Sequence, residues 1–230
     1  MVSQSTVDGA RWLEVSPERL AAWLESFAQR HGDAAVEPGP AVVTFRAADG
    51  ALAQAHVPFP PLPEGAGDGT GSIAGSAERI SAHARADRTV GVLLVRLGGY
   101  AAGVFTGPEA HLVASKVGSR LVHGRSAAGG QSQQRFARRR EKQASEALGA
   151  AADTAAAVFG QFAGKLDAVV LGGDRRAIAG LRDDPRLRPY LDLAVERFLT
   201  VPDPRLAVLR STPRLFRAIR IQLTEPARTG

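Results

Sequence analysis

Residues Thr89 to Leu97 read TVGVLLVRL, the most apolar run in the chain. Consecutive Val and Leu over a strand-length stretch, closed by Gly98-Gly99, fit a central strand buried on both faces. Two further β-prone runs follow, Tyr100–Thr106 and Ala110–Val117, split by Gly107-Pro108. Connections this short imply an antiparallel meander. The longest element comes next, a helix from about Ser132 to Phe162. Its apolar positions Ala144, Ala147, Leu148, Ala151, Ala155, Val158, Phe159 and Phe162 keep helical spacing. Leu166–Leu171 reads as a strand ending at Gly172-Gly173, and Arg175–Leu181 as a short helix. A strand over Leu193–Val201, a short helix over Arg205–Leu209 and a closing strand over Leu215–Leu223 complete the pattern. Strands alternating with helices after a meander predict an α/β fold, a mixed β-sheet with helices on its faces.

Upstream, Pro17 to Arg30 predicts a helix, with Ser16 as N-cap and an apolar face of Leu20, Trp23, Leu24 and Phe27. Ala41–Arg46 and Leu52–Val57 flank Ala-Ala-Asp-Gly and predict a β-hairpin. The stretch PFPPLPEGAGDGTGSIAG (58–75) is dense in Pro and Gly. The expected organisation is therefore a small N-terminal helix–hairpin region over 1–58, a linker over 59–75 and the main domain over 76–230. Trp12, Trp23 and Phe45 are expected to pack against that domain. The Gly-rich end of the linker lacks a GxGxxG pattern and a Walker lysine, so it does not read as a phosphate loop.

Composition excludes several classes. At 44% hydrophobic residues the chain is not disordered throughout. Without cysteine there is no disulfide, thiol nucleophile or Cys-based metal site, and the five histidines show no HxxxH spacing. Neither a metal nor another cofactor is expected. With no secretory signal and no apolar run long enough to span a bilayer, the expectation is a soluble, cytoplasmic protein, monomeric and free of membrane.

The charge is concentrated. The chain carries a formal +6, and all of it lies between Gly118 and Lys142, where seven bases face the single acid Glu141. The first half of this segment is rich in Gly, Ala and Ser, cannot bury itself, and is expected to protrude. The second half is helical in pattern, with Arg135, Arg138, Arg139 and Lys142 at i, i+3, i+4 and i+7 along one face. Clustered cations repel one another unless a polyanion lies alongside, and phosphate contacts release counterions. With Arg120, His123, Arg125 and Arg140, these residues form the expected RNA-binding set. Gly129-Gly130-Gln131 closes the loop. Two glycines allow close approach of another backbone or a ribose, and the Gln131 amide can meet an oxyanion or hold a water.

The order His123-Gly124-Arg125, Gly129-Gly130-Gln131, Ser132, then Arg135-Phe136-Ala137-Arg138 resembles the eukaryotic/archaeal class-1 peptide release factors. There an HGR triplet and a GGQ tripeptide precede a serine and a basic helix. The resemblance is closest to the actinobacterial Vms-like release factors and covers roughly Thr89 to Leu223. Asp167–Gly173 (DAVVLGG) is a weaker echo of the strand and glycine turn after the family's long helix. The loop here is longer, with Ser126-Ala127-Ala128 between Arg125 and the glycines, and the codon-reading motifs are not found. The resemblance implies a ribonuclease H-like middle-domain fold. It also implies a peptidyl-tRNA hydrolase acting on stalled large ribosomal subunits, with peptidyl-tRNA and ribosomal RNA as partners. Gln131 would position water, and Gly129 and Gly130 would admit the loop to the reactive ester. His123 is expected to contact RNA or serve structure, not to act as a general base. Three alternatives stay open: an endonuclease cutting the tRNA 3′ end, a non-catalytic ribosome- or RNA-binding factor, and a self-contained hydrolase. The last would use Ser115, Ser119, Ser126 or Ser132, although no GxSxG elbow accompanies them.

Overall fold

Alternation and its absence separate two kinds of strand in the computed structural model of the chain. The structure describes residues 5–7, 10–64, 71–96, 99–119 and 132–226, with 5–7 and 132–141 described by their backbone alone. In chain order the first elements are β1 (Ser5–Val7), β2 (Ala10–Val15), a 3-10 turn (Pro17–Arg19) and α1 (Leu20–His31). They continue with β3 (Ala34–Glu37), β4 (Val42–Ala47), β5 (Leu52–His56) and α2 (Ile73–Arg85). Next come β6 (Val90–Arg96), β7 (Gly99–Thr106), β8 (His111–Ser119), α3 (Ser132–Gly160) and β9 (Ala168–Gly173). The last are α4 (Arg175–Ala179), α5 (Arg188–Leu191), β10 (Ala194–Leu199), α6 (Leu206–Arg210), α7 (Thr212–Phe216) and β11 (Ile219–Thr224).

The chain divides into two compact units, residues 1–86 with 214–230, and residues 87–213. In the first, six strands in the order β1-β2-β11-β5-β4-β3 form an antiparallel sheet. Its buried face carries Leu13, Val15, Val43, Phe45, Ala53, Ala55, Ile219, Ile221 and Leu223, packed against Leu20, Leu24 and Phe27 of α1 and Ala77, Ile80 and Ala84 of α2. The expected hairpin is β4–β5. Its turn is closed by Ala47 N–H to Ala51 O at 2.9 Å and by Ala51 N–H to Asp49 Oδ1 at 2.9 Å. Ser72 caps α2, its Oγ accepting from Gly75 N–H at 3.0 Å. The expected helix and hairpin are thus present, inside a larger sheet.

Four features depart from the sequence expectation. The helix α2 was not anticipated. Its buried stripe is largely Ala and Ser (Ser76, Ala77, Ser81, Ala84), which gives a weak hydrophobic signal. The stretch taken for the start of a linker is docked: Phe59 and Leu62 are buried, and Leu62 N–H donates to Pro40 O at 2.6 Å. The division between units falls at Ala86/Asp87 instead of across 59–75. In addition, β11 pairs with β2 and β5, so the closing strand joins the N-terminal unit instead of the main domain.

The second unit holds a five-stranded mixed sheet, β10-β9-β6-β7-β8. The antiparallel meander β6-β7-β8 is present as expected, and β9 and β10 run parallel to β6. The expected central strand is present as β6 (Val90–Arg96), the middle strand, buried from Val90 through Val95, with Leu97 outside the described residues. One face of the sheet meets Ala151, Ala152, Ala155, Val158 and Phe159 of α3 and Ile178 of α4. On the other face α6 packs on β7, with Leu209 seated where a side chain at Gly103 would stand. The turn after β9 needs glycine: Gly173 has φ +100°, and a Cβ there would run into the Val95 carbonyl. Asp174 follows, its Oδ1 accepting from Arg176 and Ala177 N–H at 2.7 and 3.2 Å. The fold is mixed α/β with two sheets and helices.

Candidate functional site

The strand directions of the second unit define two edges. Because β7 is antiparallel to both β6 and β8, while β9 and β10 are parallel to β6, the C-terminal ends of β6, β8, β9 and β10 share one edge. At that edge β8 ends with Ser119, and the next described element, α3, begins with Ser132. These two elements bracket the segment singled out by sequence.

The exit from β8 is built on both faces of the sheet. Ser119 pairs with Gly99 and Gly118 with Tyr100. On one face the Tyr100 ring lies over Gly118 so closely that a Cβ there would overlap its Cζ and Oη. On the other, Pro204 covers Gly99, with its Cδ 3.4 Å from where a Cβ would stand. Tyr100 thus holds Gly118 of β8 directly, while Pro204 packs on Gly99, the β7 residue paired with Ser119.

The helix on the far side is anchored through its C-terminal half. Leu148, Ala151, Ala152, Ala155, Val158, Phe159 and, just beyond the helix, Phe162 pack on the core. From Leu148 to the helix end at Gly160 that stretch is about 18 Å of a helix about 43 Å long at 1.5 Å per residue. None of the described side chains from Lys142 to Ala150 is fully buried. Arg186 braces the anchored half, its Nη1 donating to Asp153 Oδ1 of α3 at 2.7 Å and its Nη2 to Asp184 Oδ2 at 2.6 Å. Hydrogen bonding to Asp184, then to Asp153, raises the Arg186 pKa, and the Arg186 hydrogen bond lowers that of Asp184.

The backbone of α3 is helical through positions 135, 138, 139, 140 and 142. At 100° per residue, positions 135, 138, 139 and 142 fall about 150° around the helix from the core-facing line. The side chains of Arg135, Arg138, Arg139 and Arg140 lie outside the described residues, and Lys142 is exposed. Gln131, Gly130, Gly129, Arg120, His123 and Arg125 also lie outside the described residues, as does Ser126. Ser115 and Ser119 are exposed on β8. Among the described residues no group of His, Asp and Glu is arranged to hold a metal ion, and no helix is long and apolar enough to cross a membrane. The sequence reading missed Tyr100, Pro204 and Arg186, whose partners lie 18, 105 and 33 residues away, beyond any local pattern.

Residues 88–222 match the family model of the Actinobacteria/chloroflexi VLRF1 release factors, more than half of the chain. The chain belongs to this release-factor family. The VLRF1 match encloses the five-stranded unit, both bracketing elements and the Gly129-Gly130-Gln131 tripeptide. No match was found among curated protein sequences. Among solved structures, the archaeal translation termination factor aRF1 is similar at TM-score 0.42 and 12% identity, over 93% of this chain and 68% of that one. The Vms1 mitochondrial localization core is similar at 0.37 and 10%, over 78% and 75%. Pelota of Archaeoglobus fulgidus is similar at 0.32 and 10%, over 94% and 66%.

Proposed function

We propose that this VLRF1-family chain is a peptidyl-tRNA hydrolase that frees nascent peptides from tRNA on stalled large ribosomal subunits. The observation that carries the reading is the Gly129-Gly130-Gln131 tripeptide inside the family match, one residue before a long helix bearing a row of cations. The bond broken is the ester between the peptide carboxyl and the 3′-terminal ribose. Water attacks the carbonyl carbon, a tetrahedral oxyanion forms, and the ribose oxygen leaves with a proton. Gln131 positions the water and donates toward developing charge, while Gly129 and Gly130 keep the backbone slender. Arg120, His123, Arg125, Arg135, Arg138, Arg139, Arg140 and Lys142 hold RNA phosphates beside the ester. Ribosomal RNA supplies the remaining catalytic surroundings, in keeping with the lack of an autonomous nucleophile–base pair in the sequence. The factor acts as a monomer where ribosomes are, in the cytoplasm.

The test is release on purified large-subunit complexes carrying peptidyl-tRNA. Gln131→Ala is expected to slow release by about a hundredfold or more, the scale of losing one positioned donor, with subunit binding retained. Undiminished release by that variant sinks the assignment. The product's end group decides the chemistry: a free carboxylate supports ester hydrolysis, whereas attached nucleotides replace it with tRNA cleavage.

A further inference from the structure

The two edges of the five-stranded sheet differ in charge outside the 118–142 segment. At the C-terminal edge, where β8 ends, the described basic residues are Arg96, Arg175, Arg176 and Arg205, all exposed. The acids there are Asp174 and Asp203, and both are engaged. Asp174 caps α4, while Asp203 Oδ1 lies 3.9 Å from Arg96 Nε. Arg96 is committed further, donating to Val201 O at 2.7 Å. Arg175 lies over the Phe198 ring at 4.3 Å, leaving its guanidinium at the surface. Arg176 and Arg205 have no ion-pair partner among the described residues. Arg205 follows directly on Pro204, which packs on Gly99 beside the exit from β8.

The opposite edge carries Asp87, Glu109, Asp167 and Asp192, all exposed, against Arg88, Lys165 and Arg188. A strand of six residues sets the edges about 20 Å apart. That exceeds the Debye length of about 8 Å at physiological ionic strength, so the acidic edge does not cancel the basic one. The described part of the unit is electrically polarised along its strands, with its positive end at the edge where β8 ends with Ser119.

We infer that this edge is a second RNA-backbone surface, in which Arg176 and Arg205, with Arg175 beside them, contact phosphates flanking the site of reaction. The inference rests on the proposed function and extends it. The described arginines of this edge come from separate parts of the chain, Arg96 ending β6, Arg175 and Arg176 following β9 and Arg205 preceding α6, yet they share the edge at which β8 ends with Ser119. The acidic far edge disfavours the reversed orientation of the unit against a polyanion.

Binding to purified large subunits carrying peptidyl-tRNA, measured across a salt series alongside release, tests this. Arg176→Gln with Arg205→Gln removes two surface cations and is expected to lower the magnitude of the log Kd–log salt slope by about 1.5. Arg176→Glu with Arg205→Glu should also weaken binding about tenfold or more at low salt. Glu109→Gln with Asp192→Gln, at the far edge, should leave the slope unchanged. Loss of slope in the first pair alone supports the surface. An unchanged slope in that pair, or an equal loss in the far-edge pair, overturns it while leaving release intact as support for the hydrolase reading. A wild-type chain that binds but releases nothing overturns the hydrolase reading, and the slopes still decide the surface. A wild-type chain that does not bind overturns both.

Discussion

The two sheets solve burial in different ways. In the six-stranded sheet, neighbouring positions alternate between core and the opposite face: Ala53 and Ala55 of β5 are buried while Leu52, Gln54 and His56 are not, and Ile219, Ile221 and Leu223 of β11 repeat the pattern. In the five-stranded sheet β6 is buried at every position from Val90 to Val95, and β9 from Ala168 to Gly172. The first is an antiparallel sheet with helices on one side. The second has parallel members and helices against both sides, the arrangement that needs near-continuous apolar runs. A sheet covered on both sides leaves its edges to carry exposed charge, and Arg96, Arg175, Arg176 and Arg205 stand at the edge where β8 ends.

The largest expected effect tests that contrast directly. Leu93 and Leu94 face opposite sides of the sheet and are both buried. Leu93→Ala and Leu94→Ala should each cost about 2–5 kcal/mol in urea unfolding. In β11, Ile221→Ala should cost a comparable amount, whereas Gln222→Ala should stay within about 0.5 kcal/mol. Tolerance of either leucine change would break the description of β6 as buried on both faces.

A smaller effect is expected at the exit from β8. Gly118→Val places a side chain in the space of the Tyr100 ring. The ring can swing aside, so the cost should be about 1 kcal/mol, near the low end for overpacking. Tyr100→Ala in the same chain should relieve most of the added cost, and a double-mutant cycle measures that coupling. Additive effects would mean that the two residues do not share the space.

These contrasts also explain what could be read from the sequence. Thr89–Leu97 announces β6 because a strand buried on both faces is apolar without interruption. The meander, the long helix and the β9 strand were legible for similar local reasons, as was the β4–β5 hairpin through Asp49-Gly50. The pairing of β11 with β2 and β5 was not, because it joins residues some 200 positions apart and local periodicity carries no partner identity. The strands β2 and β3 escaped notice because short, half-buried alternation is a weak pattern. At the site, the cationic spacing and the glycines were visible, and the helical backbone through positions 135–142 agrees with the expected helix. The Tyr100–Gly118 and Pro204–Gly99 contacts were not visible, since steric complementarity between distant segments leaves no local signature.

The smallest effect separates the units by acid. In the first, Asp49 accepts from Ala51 N–H at 2.9 Å and meets the His31 ring at 2.8 Å, and these interactions lower its pKa below 3.8. In the second, hydrogen bonding from Arg186 lowers that of Asp184 below 3.8. A carboxylate whose folded pKa is depressed contributes stability that is present above its unfolded value and is lost as pH falls through the folded one. Both contributions should therefore be present at neutral pH and fade below about pH 3.8. Asp49 is exposed and Asp184 lies half-buried at the surface, so the effects are small, and their value lies in being assigned to different units. Asp49→Asn should flatten the acid loss of stability in the first unit only, and Asp184→Asn in the second only, in unfolding followed by amide exchange between pH 2 and 5.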